Sequence, residues 1–150
     1  MSFIKSNVDP GGSLLVPSGP DYGAGFAKTA GPFTIESKMY TSCTGLIAKN
    51  TTTGYKMLSH TQPGALSKAI DCLVDLGPDK DTYVWAVGNK ARFSEVLPKD
   101  LTKILDDRGI NYNHNYLNPK NTNCDVTIDQ NQITVNFRLK GKAHIVTLSW

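Results

Sequence analysis

The chain has 150 residues, a net charge of +3, 39% hydrophobic residues and 19% charged residues. This length is typical of one domain and can bury a core without disulfides. The densest basic stretch, residues 138–142, is short and is typical of a solvated hairpin end, so nucleic acid is not an expected partner. Because no apolar run approaches the ~20 residues of a membrane span, no membrane partner is expected either.

The N-terminus and the cysteines bear on where the protein works. Residues 1–5 lack the apolar core of a signal peptide. The three cysteines form an odd set without CxxC spacing, which favours free thiols in a reducing compartment over a disulfide framework or a zinc cluster. We therefore expect a cytosolic protein. If it is an effector, we expect export by a route that needs no signal peptide and activity in the target-cell cytosol.

The predicted elements begin with a Gly/Pro/Ser-rich irregular arm, residues 1–32, interrupted by one short apolar run at residues 14–16. The elements predicted after Phe33 are a strand (40–49), its antiparallel partner (55–60), a helix (66–74), a doubly covered strand (82–87), a second helix (94–109) and a β-meander (124–150). This order predicts an α+β fold with a single ordered domain over residues 33–150. We expect a mixed, twisted, sandwich-like β-sheet with two helices packed on one face.

Cysteine is the residue type that offers chemistry here. The sequence has no Walker loop, GxGxxG, HExxH or metal-spaced His/Cys cluster, so neither a cofactor nor a metal is expected. Cys124 shares a strand face with Val126 and Ile128 and is predicted to be core, and Cys72 lies inside the first predicted helix. Cys43 differs because its neighbours, residues 41–45, are small and hydroxylic, which leaves room for a ligand.

His60 is the histidine that local topology brings to Cys43. A hairpin centred between residues 51 and 52 would set the two directly opposite each other, with Cβ atoms within ~5 Å. Such a pair forms a thiolate–imidazolium nucleophile. Ser37, six residues before the cysteine, or a backbone carbonyl could orient the imidazole. His114 is predicted to lie on an exposed loop or edge strand, and His144 to be half-buried in the sheet.

The motif around the cysteine resembles a known family. Thr41-Ser42-Cys43-Thr44-Gly45, with Ser59-His60-Thr61 seventeen residues after the cysteine, resembles the chemoreceptor glutamine deamidases (CheD). It also resembles the catalytic domain of the cytotoxic necrotizing factors and the lethal-factor glutamine deamidases. The passages at residues 88–89, 107–110 and 123–137 extend the resemblance to roughly residues 33–140. The toxins carry Ser-Gly before the cysteine, and the chemoreceptor enzymes have threonine at the position of Ser37.

The resemblance implies a deamidase-like catalytic domain over residues 33–150 that converts a protein glutamine to glutamate and releases ammonia. In this family Cys43 would be the nucleophile, His60 the acid and base, and Ser37 the group that orients the histidine. Thr41, Ser42 and Gln62 are the expected substrate-binding residues. The expected partner is a protein with an exposed glutamine, and the protein could be a bacterial toxin or effector.

Three alternatives remain open from the sequence. The first is a transglutaminase, in which an amine captures the same thioester. The second is a papain-like cysteine protease that uses Cys43 and His114 with Asp125 or Asp129. The third is a non-enzymatic binding or immunity domain in which the cysteine has no catalytic role. The oligomeric state is open as well.

Overall fold

The computed structural model describes residues 4–5, 13–15, 24–40, 44–61, 70, 73, 76–88, 99–117 and 123–150. One α-helix, α1 (Lys99–Arg108), lies in these ranges. The strands are β1 (Ile4–Lys5), β2 (Ser13–Leu15), β3 (Ala24–Thr29), β4 (Thr34–Tyr40), β5 (Thr44–Asn50), β6 (Lys56–Thr61), β7 (Thr82–Gly88), β8 (Asn111–Tyr116), β9 (Cys124–Ile128), β10 (Gln132–Leu139) and β11 (Lys142–Ser149).

The strands form two sheets. The six-stranded sheet has the order β1-β3-β6-β5-β7-β8, and the five-stranded sheet has the order β11-β10-β9-β4-β2. Neighbouring strands are antiparallel except for the pairs β1–β3, β2–β4 and β7–β8, which are parallel. The expected single mixed sheet is therefore wrong, because the closing meander pairs with β4 in a second sheet and does not join the sheet of β5, β6 and β7.

The central strands of the six-stranded sheet, β5, β6 and β7, are buried on both faces. Alternate residues of β7 enter two different apolar clusters, Trp85 and Val87 in one and Val84 and Ala86 in the other. The first cluster fills the space between the sheets, and the second includes Leu101 and Leu105 of α1. The prediction of a doubly covered strand at residues 82–87 is confirmed.

The period-two pattern of the last third produces the predicted meander. β9, β10 and β11 pair in register as consecutive antiparallel strands. The inward positions of β9 and β10 are buried: Cys124, Val126, Ile128, Ile133, Val135 and Phe137. The turn between β9 and β10 closes on Asp129, whose Oδ1 accepts hydrogen bonds from the backbone N–H groups of Asn131 and Gln132.

The prediction of two helices on one face is also corrected. Within the described ranges the structure is mostly β, with α1 as its α-helix. Most of the first predicted helix lies outside the described residues, although Ile70 and Leu73 are buried in the second cluster. No helix in the described part of the chain has the length and apolar composition that a membrane crossing requires.

The residues expected to form an irregular arm contribute strands to both sheets. β3 pairs with β6 along six residues, and β2 pairs in parallel with β4. The sequence of β3, Ala-Gly-Phe-Ala-Lys-Thr, lacks a strong alternation of β-forming residues, so its pairing with β6 rather than its own propensity stabilises the strand. The predicted strand 40–49 is also corrected, because Tyr40 ends β4 and Thr44 begins β5 in the other sheet.

Candidate active site

A histidine and a serine meet between the two sheets. His60 lies on β6 of the six-stranded sheet and is only 4% exposed, and Ser37 lies fully buried on β4 of the five-stranded sheet. Ser37 Oγ and His60 Nδ1 are 2.8 Å apart, within hydrogen-bond distance. Ser37 reaches this position because alternate residues of β4 face inward, with Ile35 two residues before it also buried. The hydrogen bond that the sequence suggested between the two residues is present.

This contact determines which ring nitrogen of His60 can do chemistry. Because Nδ1 is paired with the Ser37 hydroxyl, Nε2 is the nitrogen that can exchange a proton with a nucleophile or a substrate. When Nδ1–H donates to Ser37 Oγ, Nε2 presents a lone pair and can act as a base. A buried hydroxyl that holds one ring nitrogen corresponds to the third member of a nucleophile–histidine–orienting group arrangement.

Tyr40 covers one face of the histidine ring. The Tyr40 and His60 rings are stacked, with centroids 4.1 Å apart and an interplanar angle of 18°. The Tyr40 hydroxyl donates a hydrogen bond of 2.8 Å to the Ser59 carbonyl. Gly45 makes room for this ring, because a Cβ at that position would lie 2.7 Å from Tyr40 Cε1. The glycine that ends the motif at residues 41–45 therefore has a packing reason in this structure.

Burial makes His60 a weak base in isolation. Desolvation between the sheets lowers the pKa of His60 from 6.5 to about 4. At neutral pH the ring by itself is therefore uncharged. The sequence suggested a resting thiolate–imidazolium pair, whereas this burial favours a neutral imidazole that becomes charged when it takes a proton from a partner.

The beginning of β5 lies beside the end of β6 that carries His60. Thr44 pairs with Thr61 on one side and with Gly88 of β7 on the other. The Thr61 hydroxyl also donates a hydrogen bond of 3.0 Å to the Thr44 carbonyl. Thr44 is therefore fixed by its two neighbouring strands, β6 and β7, at the edge of the candidate site.

The β5–β6 register differs from the predicted one. Thr44 is opposite Thr61 and Ile47 is opposite Leu58, so the hairpin is centred between residues 52 and 53. Gly45, rather than Cys43, is consequently the residue opposite His60. The centre of the hairpin lies one residue later than predicted, which moves every cross-strand partner by two positions, and the sequence of residues 50–54 does not reveal this shift. The predicted residues Thr41, Ser42, Cys43 and Gln62 lie outside the described residues.

Cys124 is a buried core thiol, as the sequence predicted. It is 2% exposed, and burial, reinforced by the charge of Asp125, raises the pKa of the Cys124 thiol to about 12. Its strand position pairs with Tyr40. A thiol with so high a pKa is unreactive near neutral pH. Cys72 lies outside the described residues.

The other histidines lie apart from this centre. The backbone of His114 belongs to β8, at the edge of the six-stranded sheet, as one of the two sequence interpretations expected. His144 is exposed rather than half-buried, because β11 is the edge strand of the five-stranded sheet, and its ring stacks on Phe137 with centroids 5.4 Å apart.

The aspartates of the papain-like alternative are also separated from His60. Asp129 caps the turn between β9 and β10. Asp125 lines a groove of about 650 Å³, together with the outward-facing side chains of Glu36, Lys38 and Thr127. Ser37 faces the opposite side of β4 from Glu36 and Lys38 and is fully buried. Among the residues that the structure describes, no three His, Cys, Asp or Glu side chains are grouped as metal ligands.

Comparison with known proteins identifies no family. No protein-family model matches the chain, and no curated protein matches it. Among solved structures it is similar to a Neisseria meningitidis protein of the DUF152 family, with a TM-score of 0.37 and 13% identity. The alignment covers 66% of this chain and 55% of that chain. A similarity this weak carries no argument about function.

Proposed function

We propose that this protein is a cysteine-dependent glutamine deamidase that acts on a protein substrate. The observation that carries the proposal is the buried hydrogen bond between Ser37 Oγ and His60 Nδ1, which directs Nε2 of the same ring to a reaction partner. The two residues belong to different sheets and are 23 positions apart. They are also the two that the resemblance to the chemoreceptor deamidases assigns to the histidine and its orienting hydroxyl.

Chain connectivity supports Cys43 as the partner of His60. Consecutive Cα atoms are about 3.8 Å apart, so the Cys43 backbone must lie within that distance of Thr44. Thr44 is paired with Thr61, the residue that follows His60. Thr44, the residue that follows Cys43 in the chain, therefore lies beside the end of β6 that carries His60.

The proposed reaction has two halves that share a thioester. His60 Nε2 takes the thiol proton, and the Cys43 sulfur attacks the carboxamide carbon of a glutamine, forming a C–S bond and a tetrahedral oxyanion. The imidazolium then protonates the amide nitrogen, the C–N bond breaks and ammonia leaves. In the second half His60 takes a proton from water and the hydroxide attacks the thioester carbon. The C–S bond then breaks as the imidazolium returns its proton to the cysteine sulfur, giving glutamate and the free thiol.

The other residues of this proposal bind and orient. Ser37 keeps His60 Nδ1 paired through every proton transfer, so that Nε2 carries the exchanged proton each time. Backbone N–H groups near Cys43 would stabilise the oxyanion. Thr41, Ser42 and Gln62 remain the proposed substrate-binding residues. The proposed setting is that of a bacterial effector or toxin acting in the cytosol of a target cell.

The position of β8 favours His60 over His114 as the base. His114 lies between Tyr112, which pairs with Val84, and Tyr116, which pairs with Ala86, so its backbone is about level with Ile47. The His114 backbone then lies two strand spacings across the sheet and three residues along it from Thr44, a distance of about 14 Å. A papain-like pair of Cys43 and His114 would have to cross most of that distance.

A proteome experiment distinguishes the proposal from its alternatives. A cell extract is incubated with the parent protein, the Cys43→Ala variant or the His60→Ala variant, and its proteins are analysed by peptide mass spectrometry. We expect Gln-to-Glu conversion at a small number of sites with the parent protein and with neither variant. Glutamines joined to an added amine would indicate a transglutaminase, and new peptide termini a protease. If no modification of the extract depends on Cys43, the enzymatic proposal is contradicted.

A further inference from the structure

We propose that Tyr40 is a positioning residue that fixes the plane of the His60 ring and, at the same time, the start of the segment that carries Cys43. This inference rests on the proposed function, because it assigns to Tyr40 a role in the reaction of those two residues.

The first argument is the restraint on the histidine ring. Ser37 holds one ring atom, Nδ1, and a single hydrogen bond leaves the ring free to rotate about that contact. Tyr40 removes this freedom because its own ring is stacked at 4.1 Å and nearly parallel. The hydrogen bond at the edge of the ring and the stacked tyrosine on its face together determine the direction in which Nε2 points. A proton transfer requires this direction to be correct within a hydrogen-bond geometry.

The second argument is that the tyrosine itself is held firmly. Its side chain is fully buried, and its hydroxyl donates to the carbonyl of Ser59, the residue immediately before His60. The ring also lies close to Gly45, where a Cβ would clash with the Ser59 carbonyl and come within 2.7 Å of Tyr40 Cε1. The Tyr40 hydroxyl therefore attaches the side chain to the backbone of β6, the strand that carries His60. A shift of β6 consequently moves the tyrosine and the histidine together.

The third argument is the place of Tyr40 in the chain. Tyr40 is the last residue of β4 in one sheet and Thr44 the first residue of β5 in the other, so only residues 41–43 connect them. Thr44 is fixed by its pairing with Thr61 and Gly88. Because Tyr40 is fixed to Ser59 and to the ring of His60, both ends of a three-residue connection are anchored beside the histidine.

The test uses two substitutions of Tyr40 that remove different interactions. Tyr40→Phe keeps the ring stack and removes the hydrogen bond to the Ser59 carbonyl, whereas Tyr40→Leu also removes the stack. Tyr83→Phe is the matched control, because Tyr83 is 37% exposed on β7. The readouts are the rate of Cys43 alkylation at pH 5 and at pH 8, and the NMR titration of the His60 ring. A purely structural role would lower stability without changing the ratio of the two alkylation rates.

We expect the ratio of the pH 5 rate to the pH 8 rate to fall several-fold in Tyr40→Phe and by about tenfold or more in Tyr40→Leu, with a displaced His60 titration in the second variant. Tyr83→Phe should behave as the parent. If Tyr40→Leu does not fold, Tyr40→Phe alone decides the matter.

An unchanged ratio in every folded Tyr40 variant, while His60→Ala lowers it, would overturn this inference and leave the proposed function intact. If His60→Ala itself leaves the ratio unchanged, the proposed function is wrong and the inference with it.

Discussion

Alkylation of Cys43 as a function of pH probes His60 as a base, and the lowered pKa of His60 sets the expected magnitude. Burial lowers the pKa of His60 to about 4, whereas a free cysteine has a pKa of about 8.5. Moving the thiol proton to the imidazole then spans about 4.5 pKa units, or roughly 6 kcal/mol. The attraction of the resulting ion pair, about 4 kcal/mol at 4 Å and an effective dielectric constant of 20, offsets most of this cost.

The remaining cost of about 2 kcal/mol corresponds to roughly 3% of the pair in the thiolate–imidazolium form. This fraction is independent of pH between the two pKa values, because both forms of the pair hold the same number of protons. An isolated thiol is thiolate to about 3% at pH 7 but to only about 0.03% at pH 5. We therefore expect His60→Ala to react as fast as the parent near pH 7 and about 100-fold more slowly at pH 5.

The assay is a set of quenched iodoacetamide time courses from pH 5 to pH 8, analysed peptide by peptide so that each cysteine is scored separately. Cys124 is an internal control that should react slowly throughout, because its pKa is raised to about 12. His144→Ala is the matched histidine variant and should keep the profile of the parent, which is flat from about pH 5 to about pH 7 and rises at higher pH as the thiol itself ionises. A parent rate that falls tenfold per pH unit, in parallel with His60→Ala, would refute the reasoning. Loss of the plateau in His114→Ala instead would favour the papain-like alternative.

The remaining predictions concern the same centre and its surroundings. Ser37→Ala should destabilise the protein by about 1–3 kcal/mol, because it leaves a buried ring nitrogen of His60 unpaired, and it should reduce activity less than His60→Ala; urea denaturation and turnover measure the two effects. Cys124→Ser should cost about 1–3 kcal/mol by placing a hydroxyl in the core, while Cys43→Ser should stay within about 0.5 kcal/mol of the parent, and the reverse order in urea denaturation would make Cys43 structural. Acid should weaken the fold through His60. The unfolded state protonates this histidine below about pH 6.5, whereas the folded state does so only below about pH 4. The free energy of unfolding should therefore decrease by roughly 3 kcal/mol in total as the pH is lowered from 6.5 to 4. His60→Ala should remove that part of the dependence, and identical pH profiles of stability would contradict the buried, neutral histidine.

The sequence predicted strand faces better than strand partners. The alternation at Cys124, Val126 and Ile128 correctly identified a buried face, because a period of two depends only on which side of the strand meets the core. The same alternation carries no information on which sheet the strand enters, so the separate five-stranded sheet was missed. β3 was missed for a related reason, since its weak intrinsic pattern is compensated by pairing with β6 over its whole length.

At the candidate site, spacing predicted some contacts and tertiary packing supplied others. Ser37 and His60 could be paired through the resemblance, and the structure places them 2.8 Å apart. The exact cross-strand register could not be predicted, because the number of loop residues between β5 and β6 depends on the turn that they adopt. The Tyr40 stack was missed because it joins two sheets, although Gly45, a glycine inside a strand, is a signal of close approach that could have indicated it.

The measurement that tests the central claim most directly is deamidation of a target protein in oxygen-18-labelled water. Hydrolysis of a Cys43 thioester takes one oxygen atom from water, so each new glutamate should carry one labelled oxygen in its side-chain carboxylate, with one ammonia released per glutamate. Cys43→Ala and His60→Ala should give neither product above background. Glutamate formed equally by those variants, or no glutamate formed by the parent protein, would contradict the assignment of a Cys43–His60 glutamine deamidase.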